Sequence, residues 1–416
     1  MGAMDMRRAM PHFEKAKALL AKQPESVSHA AFYIAMAGAY FQTRRIGDGL
    51  ATAKRLMEIC ERLDNQPIFR DGLWSMAAGL LSIGLIHSGA VTEGLRLFDE
   101  ARRRADPIHN TGIGAAVALG GGGNYLALRH PREAQEWFKG ELAKPGSANA
   151  LQRGVSSSPQ RPDNVPLRLH NLLMSACIEA GELTKARAYL AEVDAVDKPA
   201  KLLFFEGEWE LAGKALTAEI ELFRTTGNLE SDLGVTLVLA ELQRFAGERA
   251  QAVQVLQRAL EISVDGGAIL YELSIRSALA TMAADPGGTG EALPHLKRCR
   301  QIVGAGENWL GVAGSVERGG GRRCGARRVR GGGKPIRESD RDPPTLLFAV
   351  GGSRHLQYWG RALLASGERA RAIEKFDAAI EIYRSHGAGT RFVEYVMADK
   401  RRRQDSKSAD ASAKLH

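Results

Sequence analysis

A small–bulky–small triplet of side chains returns along this chain at intervals close to 40 residues, and few folds tolerate such a period. The clearest copy is Ala372, Phe376 and Ala379. Offsets of four and seven lie on one face of an α-helix, so the three side chains form a stripe. Small residues at either end let a neighbouring helix approach, and the bulky one fills the gap between them. The same phase recurs at Ala9/Phe13/Ala16, Gly49/Ala53/Leu56, Gly94/Phe98/Ala101, Ala134/Phe138/Glu141 and Ala186/Leu190/Val193. Ala212/Leu216/Glu219, Ala252/Leu256/Ala259 and Ala292/Leu296/Cys299 continue it. First members are separated by 40, 45, 40, 52, 26, 40, 40 and then 80 residues. A Pro-, Ser- and Gly-rich stretch at 144–166 accounts for the long interval of 52.

Any Ala- and Leu-rich helical chain shows some triplets by chance. The turns argue against chance here. Gly89, Gly181, Gly207, Gly247 and Gly367 each stand five residues before a first member, where a glycine suits the left-handed residue just past a helix end. The pattern predicts an all-α fold, an α-α superhelix (solenoid) of stacked antiparallel helix pairs. Residues 1–316 carry helical repeats and 355–399 a final helix pair. Residues 317–354 read as an irregular Gly/Arg-rich segment without order, and 400–416 as a disordered basic tail.

The stretch SGERARAIEKFDAAIEI, with its turn glycine Gly367, small Ala372, aromatic Phe376 and Ala379, resembles the tetratricopeptide repeat. Gly360 matches that repeat's first-helix glycine. The resemblance spans most of residues 6–385, although a period near 40 departs from the usual ~34. Longer helices of this kind are similar to the C-terminal repeats of bacterial multidomain adenylate cyclase and ATPase signalling proteins. That resemblance implies a regulatory region. HFEKAKALLAK, from His12 to Lys22, reads as the second helix of a pair whose first is missing, so the chain is expected to be a fragment of a larger protein or an orphan.

The final interval is twice the period, so one copy is missing. Its place holds Glu317 to His355, rich in glycine and arginine and without helical periodicity. One reading is an arginine-rich nucleic-acid-binding insert. The other is an out-of-frame translation of 319–354. Shifting a permissible back-translation by one nucleotide restores an amphipathic hairpin, with its small, aromatic and small residues at positions 332, 336 and 339. Loss of a copy from a solenoid is expected to uncouple the last copy from the rest.

The net charge of +9 comes from residues 317–342, at +5, and 400–416, at +4, which leaves the remaining chain neutral. Nucleic acid is therefore not the expected partner of the helical repeats. The alternative, a nucleic-acid-associated transcriptional regulator, would use Arg322 to Arg341 and the tail. No run of ~18 apolar residues occurs, and Met1 to Met10 has no apolar signal core, so a cytoplasmic location is expected.

No catalytic pattern survives inspection. Gly112 to Gly123 hints at a dinucleotide loop, but that fingerprint needs a preceding strand and an acidic residue ~20 positions on. The run Gly120 to Gly123 should weaken a helix by about 1 kcal/mol per residue against alanine. Gly331 to Pro335 puts proline where a phosphate loop needs Ser or Thr. The histidines are scattered, and Cys60, Cys177, Cys299 and Cys324 form no CxxC pair. The first three cysteines read as small core residues. Phe205 and Trp209 are read first as packing residues and second as a binding groove. Tyr33, Tyr40 and Phe41 are read as core, and Asp64–Asn65 and Gly227–Asn228 as helix punctuation. The expectation is a non-catalytic scaffold for protein–protein interaction. It needs no metal and no cofactor, and it holds a protein or peptide in its concave groove.

Overall fold

The computed structural model describes residues 5–63, 67–106, 112–128, 130–144, 165–192, 198–283, 292–305 and 349–401. All regular structure among them is helical. The helices are α1 (Met6–Leu20), α2 (Val27–Gln42), α3 (Ile46–Arg62), α4 (Pro67–Ser88), α5 (Val91–Ala105) and α6 (Gly112–Ala127). They continue as α7 (Pro131–Leu142), α8 (Val165–Glu179), α9 (Leu183–Glu192), α10 (Ala200–Glu206), α11 (Trp209–Thr226) and α12 (Leu229–Ala246). Last come α13 (Arg249–Asp265), α14 (Ile269–Ala283), α15 (Ala292–Ala305), α16 (Ala349–Ala365), α17 (Arg369–Ser385) and α18 (Thr390–Arg401). Helices adjacent in sequence pack on one another, from α2 on α3 to α17 on α18, apart from α15 and α16. The chain is an α-α superhelix of the tetratricopeptide-like kind.

The seam is the predicted one. Gly49, Ala53 and Leu56 of α3 are buried, as are Gly94, Phe98 and Ala101 of α5, Ala252, Leu256 and Ala259 of α13, and Ala372, Phe376 and Ala379 of α17. Ala9, Phe13 and Ala16 of α1 are half-buried, and Val193 lies outside the described residues. Close approach explains the glycine of the first helix. A Cβ at Gly360 would sit 2.7 Å from the Phe376 ring. The glycine run of α6 has the same cause. Added carbons at Gly121 and Gly122 would strike the rings of Trp137 and Phe138, whereas one at Gly123 would meet nothing. These glycines form a recess that receives aromatic side chains from α7.

All five predicted turn glycines adopt left-handed backbone, with φ from 76° at Gly181 to 99° at Gly89. Gly227, Gly267 and Gly387 do the same after α11, α13 and α17, so from Gly207 to Gly267 the left-handed turn recurs every half period, whereas α1, α3, α5 and α7 end without one. Asn228 caps α12 by accepting from the Ser231 N–H at 3.2 Å. Asp64 and Asn65 lie outside the described residues.

Three expectations need correction. First, α16 begins at Ala349, ahead of the expected boundary at 355. Its inward face carries Ser353 and Gln357, both buried, and Gln357 Nε2 donates to Asp399 Oδ2 at 2.5 Å. Polar residues on the buried stripe hide its helical period. Second, the last unit holds a third helix. α18 runs to Arg401 and into the expected tail, with Lys400 paired to Asp377 at 2.5 Å. Third, the last unit is not uncoupled. It packs against α10, α11 and α12, where Phe392 sits among the rings of Phe204, Trp209, Phe245 and Tyr383 at 5.3 to 5.6 Å, and 5.1 Å in the case of Phe245. The Gly389 N–H donates to the Phe205 carbonyl at 2.9 Å. The proposed frameshift at 319–354 falls on undescribed residues up to 348, as does the tail from 402.

A second junction joins the first helices to the middle of the chain. Arg44, in the turn between α2 and α3, reaches Glu230 of α12, and the Ile46 N–H donates to the Gly266 carbonyl at 3.2 Å. Helices α2 and α4 thereby touch α12 and α14.

Candidate binding cleft

Between α11 and α12, with Arg391 of α18 at its rim, lies a cleft of about 320 Å³. The short α10 and the left-handed turn at Gly207 place Trp209 at the first position of α11, where its ring packs on Phe245 at 5.8 Å and on Phe392. Leu239 and Leu242 of α12 line the same cleft. Gly213 leaves it open, since a Cβ there would find only Leu242 Cδ2 at 3.9 Å.

Two residues that line this cleft each bury a polar atom without a partner among the described residues, the indole Nε1 of Trp209 and the carboxamide Oε1 of Gln243, and neither atom is accessible from the cleft. One donates and the other accepts. Arg391 pairs with Glu210 at 2.8 Å and lies 5.3 Å from the centre of the Trp209 ring. That pair holds Glu210 below the usual carboxylate range, through the hydrogen bond from Arg391 first. Lys214 and Glu248 supply one further charge of each sign. The cleft is thus charge-balanced.

The junction at Arg44 brings a buried guanidinium, a carboxylate and a buried imidazole together. Arg44 is 1% exposed and has a left-handed φ of 59°, the only non-glycine residue among those described to do so. It stands five residues before Gly49, where other copies have glycine. Its Nη2 lies 2.9 Å from Glu230 Oε2, and its guanidinium carbon lies 5.4 Å from the centre of the Tyr271 ring. His87 of α4 stacks on Tyr271 at 5.8 Å, with its Nε2 3.6 Å from Glu230 Oε1. Burial, reinforced by Arg44, pushes the His87 imidazole down to about 4, although Glu230 opposes the shift. Burial alone would raise Glu230, but the Arg44 charge outweighs it and holds the carboxylate below its usual range. This cluster fastens helices together and offers no reacting atom.

No family model matches the chain, and no curated protein matches it. Among solved structures, the crystal structure of a Rap protein complexed with Competence and Sporulation Factor is similar over 92% of this chain and 94% of that chain, with 9% identity and a TM-score of 0.49. The seam and the helix pairing carry the fold class without that likeness.

The other singled-out residues fall into place as structure. Cys60, Cys177 and Cys299 are fully buried, and burial pushes each thiol up to about 11. Such thiols are poor nucleophiles at neutral pH. Tyr40 and Phe41 are core, Tyr33 lies partly buried beside them, and the Tyr40 hydroxyl donates to Glu14 at 2.7 Å. Gly112 to Gly123 fall in α6, so no strand–turn–helix unit forms there. Phe205 packs on Phe204 at 5.0 Å, and only Trp209 also lines the cleft. Among the described residues no group of three metal-ligating side chains assembles, and no helix is long and apolar enough to cross a membrane. Gln243 and Arg391 were missed in the sequence because each belongs to an ordinary polar helix face. Only the aromatic cluster around Trp209 marked the place.

Proposed function

We propose that this chain is a non-catalytic helical-repeat scaffold for protein–protein interaction, the regulatory region of a larger bacterial signalling protein. One observation supports it above others. The cleft is walled by α11 and α12 and rimmed by α18, so one occupant would touch both the middle of the superhelix and its last unit. A ligand that binds one arrangement of such helices better than another shifts the balance between them. That is how a scaffold with no reacting atom relays binding to an attached domain. The signalling context follows from the resemblance alone, and a cytoplasmic location from the sequence expectation of no spanning helix and no signal core.

The test is display of a random octapeptide library against the full chain, followed by calorimetry on the enriched peptides. Gly213→Leu places a side chain in the open cleft and adds a good helix former. The expected result is enriched peptides that bind the native chain and lose binding to Gly213→Leu, with no fall in melting temperature. Failure to enrich any peptide overturns the reading.

A further inference from the structure

We infer that the exposed face of α11 pairs two copies of this chain in parallel, with Leu211, Ala215, Ala218 and Leu222 as the contact stripe and Lys214 of each copy against Glu219 of the other. This face points away from the cleft, so the inference does not depend on what the cleft holds.

Helical spacing sets Leu211, Ala215, Ala218 and Leu222 in line, at offsets of four, seven and eleven. Leu211 is 53% exposed and Leu222 51%, with Ala218 exposed and Ala215 half-buried between them. The repeat supplies its own control. One residue before the first triplet member, every other copy has a charged side chain or, at Gln251, a glutamine, and only Leu211 is apolar. Ala218 likewise stands where Arg55, Glu100, Glu192, Arg258 and Arg298 stand in their copies. The outer face that is charged elsewhere is apolar in this one helix. A contiguous apolar row, unlike scattered single residues, marks a contact surface.

The flanking charges choose the occupant. Successive steps of four, three and four residues are the spacing of the inner positions in a two-stranded coil. Lys214 and Glu219 then lie on opposite flanks of the stripe, and neither has a hydrogen-bond or ion-pair partner among the described residues. In a parallel pair the lysine on one flank meets the glutamate five residues on in the other helix, so all four charges are answered at once. Glu219 is half-buried, and burial pushes its carboxyl up with no cation to offset it. Orientation follows from the core. Ala212, Leu216 and Ile220 are buried on the Glu219 side of the stripe. A parallel two-fold therefore sets the two chains on opposite sides of the helix pair, whereas an antiparallel one would crowd both onto the same side. Two leucines and two alanines per copy make a small contact, so the pair is weak, with a Kd on the order of 10–100 µM.

The experiment is sedimentation equilibrium of the full chain from about 1 µM to about 1 mM, a range that spans the expected Kd. A reversible monomer–dimer equilibrium is expected. Leu211→Glu puts like charges into the stripe and should weaken association by more than about tenfold. It leaves the fold of the monomer intact, because the position is exposed. Lys214→Glu and Glu219→Lys should each weaken it by about three- to tenfold, and the double exchange should return it to within about twofold of the native chain. Leu211→Glu stays decisive if a charge variant fails to fold. A chain that remains monomeric throughout leaves the stripe to a helix of another protein and overturns the inference. A dimer indifferent to Leu211→Glu overturns it as well, as does a double exchange that fails to restore what the single changes lose.

Discussion

At one junction of the superhelix, Phe392 of α18 is wholly buried among rings from α10, α11, α12 and α17. At the other, Arg44 is as deeply buried, against Glu230, His87 and Tyr271. Both join helices far apart in sequence, and they are built from opposite materials. Ring burial is non-directional and scales with the apolar area removed from water. A buried guanidinium has lost its hydration and depends on one carboxylate in one geometry. The aromatic junction therefore tolerates small shifts and resists pH. The charged one is specific, and it responds to protonation.

The largest effect expected is at the aromatic junction. Phe392→Ala should cost about 3–5 kcal/mol by removing a core ring and leaving a cavity. Urea unfolding followed by hydrogen exchange should find the loss concentrated in α16–α18. A cost below ~1 kcal/mol would mean that the last unit is held by something other than its rings.

Acid comes next, and acts on the other junction. The His87 imidazole titrates near 4 in the folded chain, against ~6.5 in an unfolded one. Between those values the unfolded state binds the extra proton, so stability is full above about pH 6.5 and falls as pH drops toward 4. The lowered value corresponds to about 3 kcal/mol across that window. Between pH 6.5 and 4 the native chain should lose stability relative to His87→Phe, because the variant lacks this titration. Parallel pH profiles would show that His87 is not held neutral. Glu230→Gln is a smaller change at the same place. A fully buried pair broken on one side costs about 3–5 kcal/mol, but Glu230 is 35% exposed, so about 1–2 is expected. Thermal melts that match the native chain would remove the charged junction from the account.

Neither junction was legible beforehand, and the reason is physical. The seam repeats a local spacing, so Ala372, Phe376 and Ala379 announce a helix face wherever they recur. Arg44 and Glu230 share no local pattern, because their meeting depends on how far the superhelix turns over the helices between them. The turn rule even concealed Arg44, which stands where a glycine was the expected signal. The start of α16 was hidden because Ser353 and Gln357 carry its buried stripe. Spacing did hold more than was taken from it. Gly207, Gly227, Gly247 and Gly267 fall every 20 residues, which marks both helices of each pair. Of the cleft, only Trp209 was visible. Gln243 and Arg391 line it from helix faces that share no local spacing.

The smallest effect calibrates both junctions from a site in neither. Gly123 of α6 has open space around an added Cβ, so Gly123→Ala should stabilise the chain by about 1 kcal/mol through helix propensity alone. Its neighbour Gly122 has identical propensity and should respond with the opposite sign, because the new carbon meets the Phe138 ring and overpacks the recess. Paired melting temperatures for the two variants separate propensity from packing within one helix. If both stabilise the chain, α6 and α7 pack loosely enough to absorb a methyl group. Ring burial would then weigh less throughout this fold, and the expected cost of Phe392→Ala would fall with it.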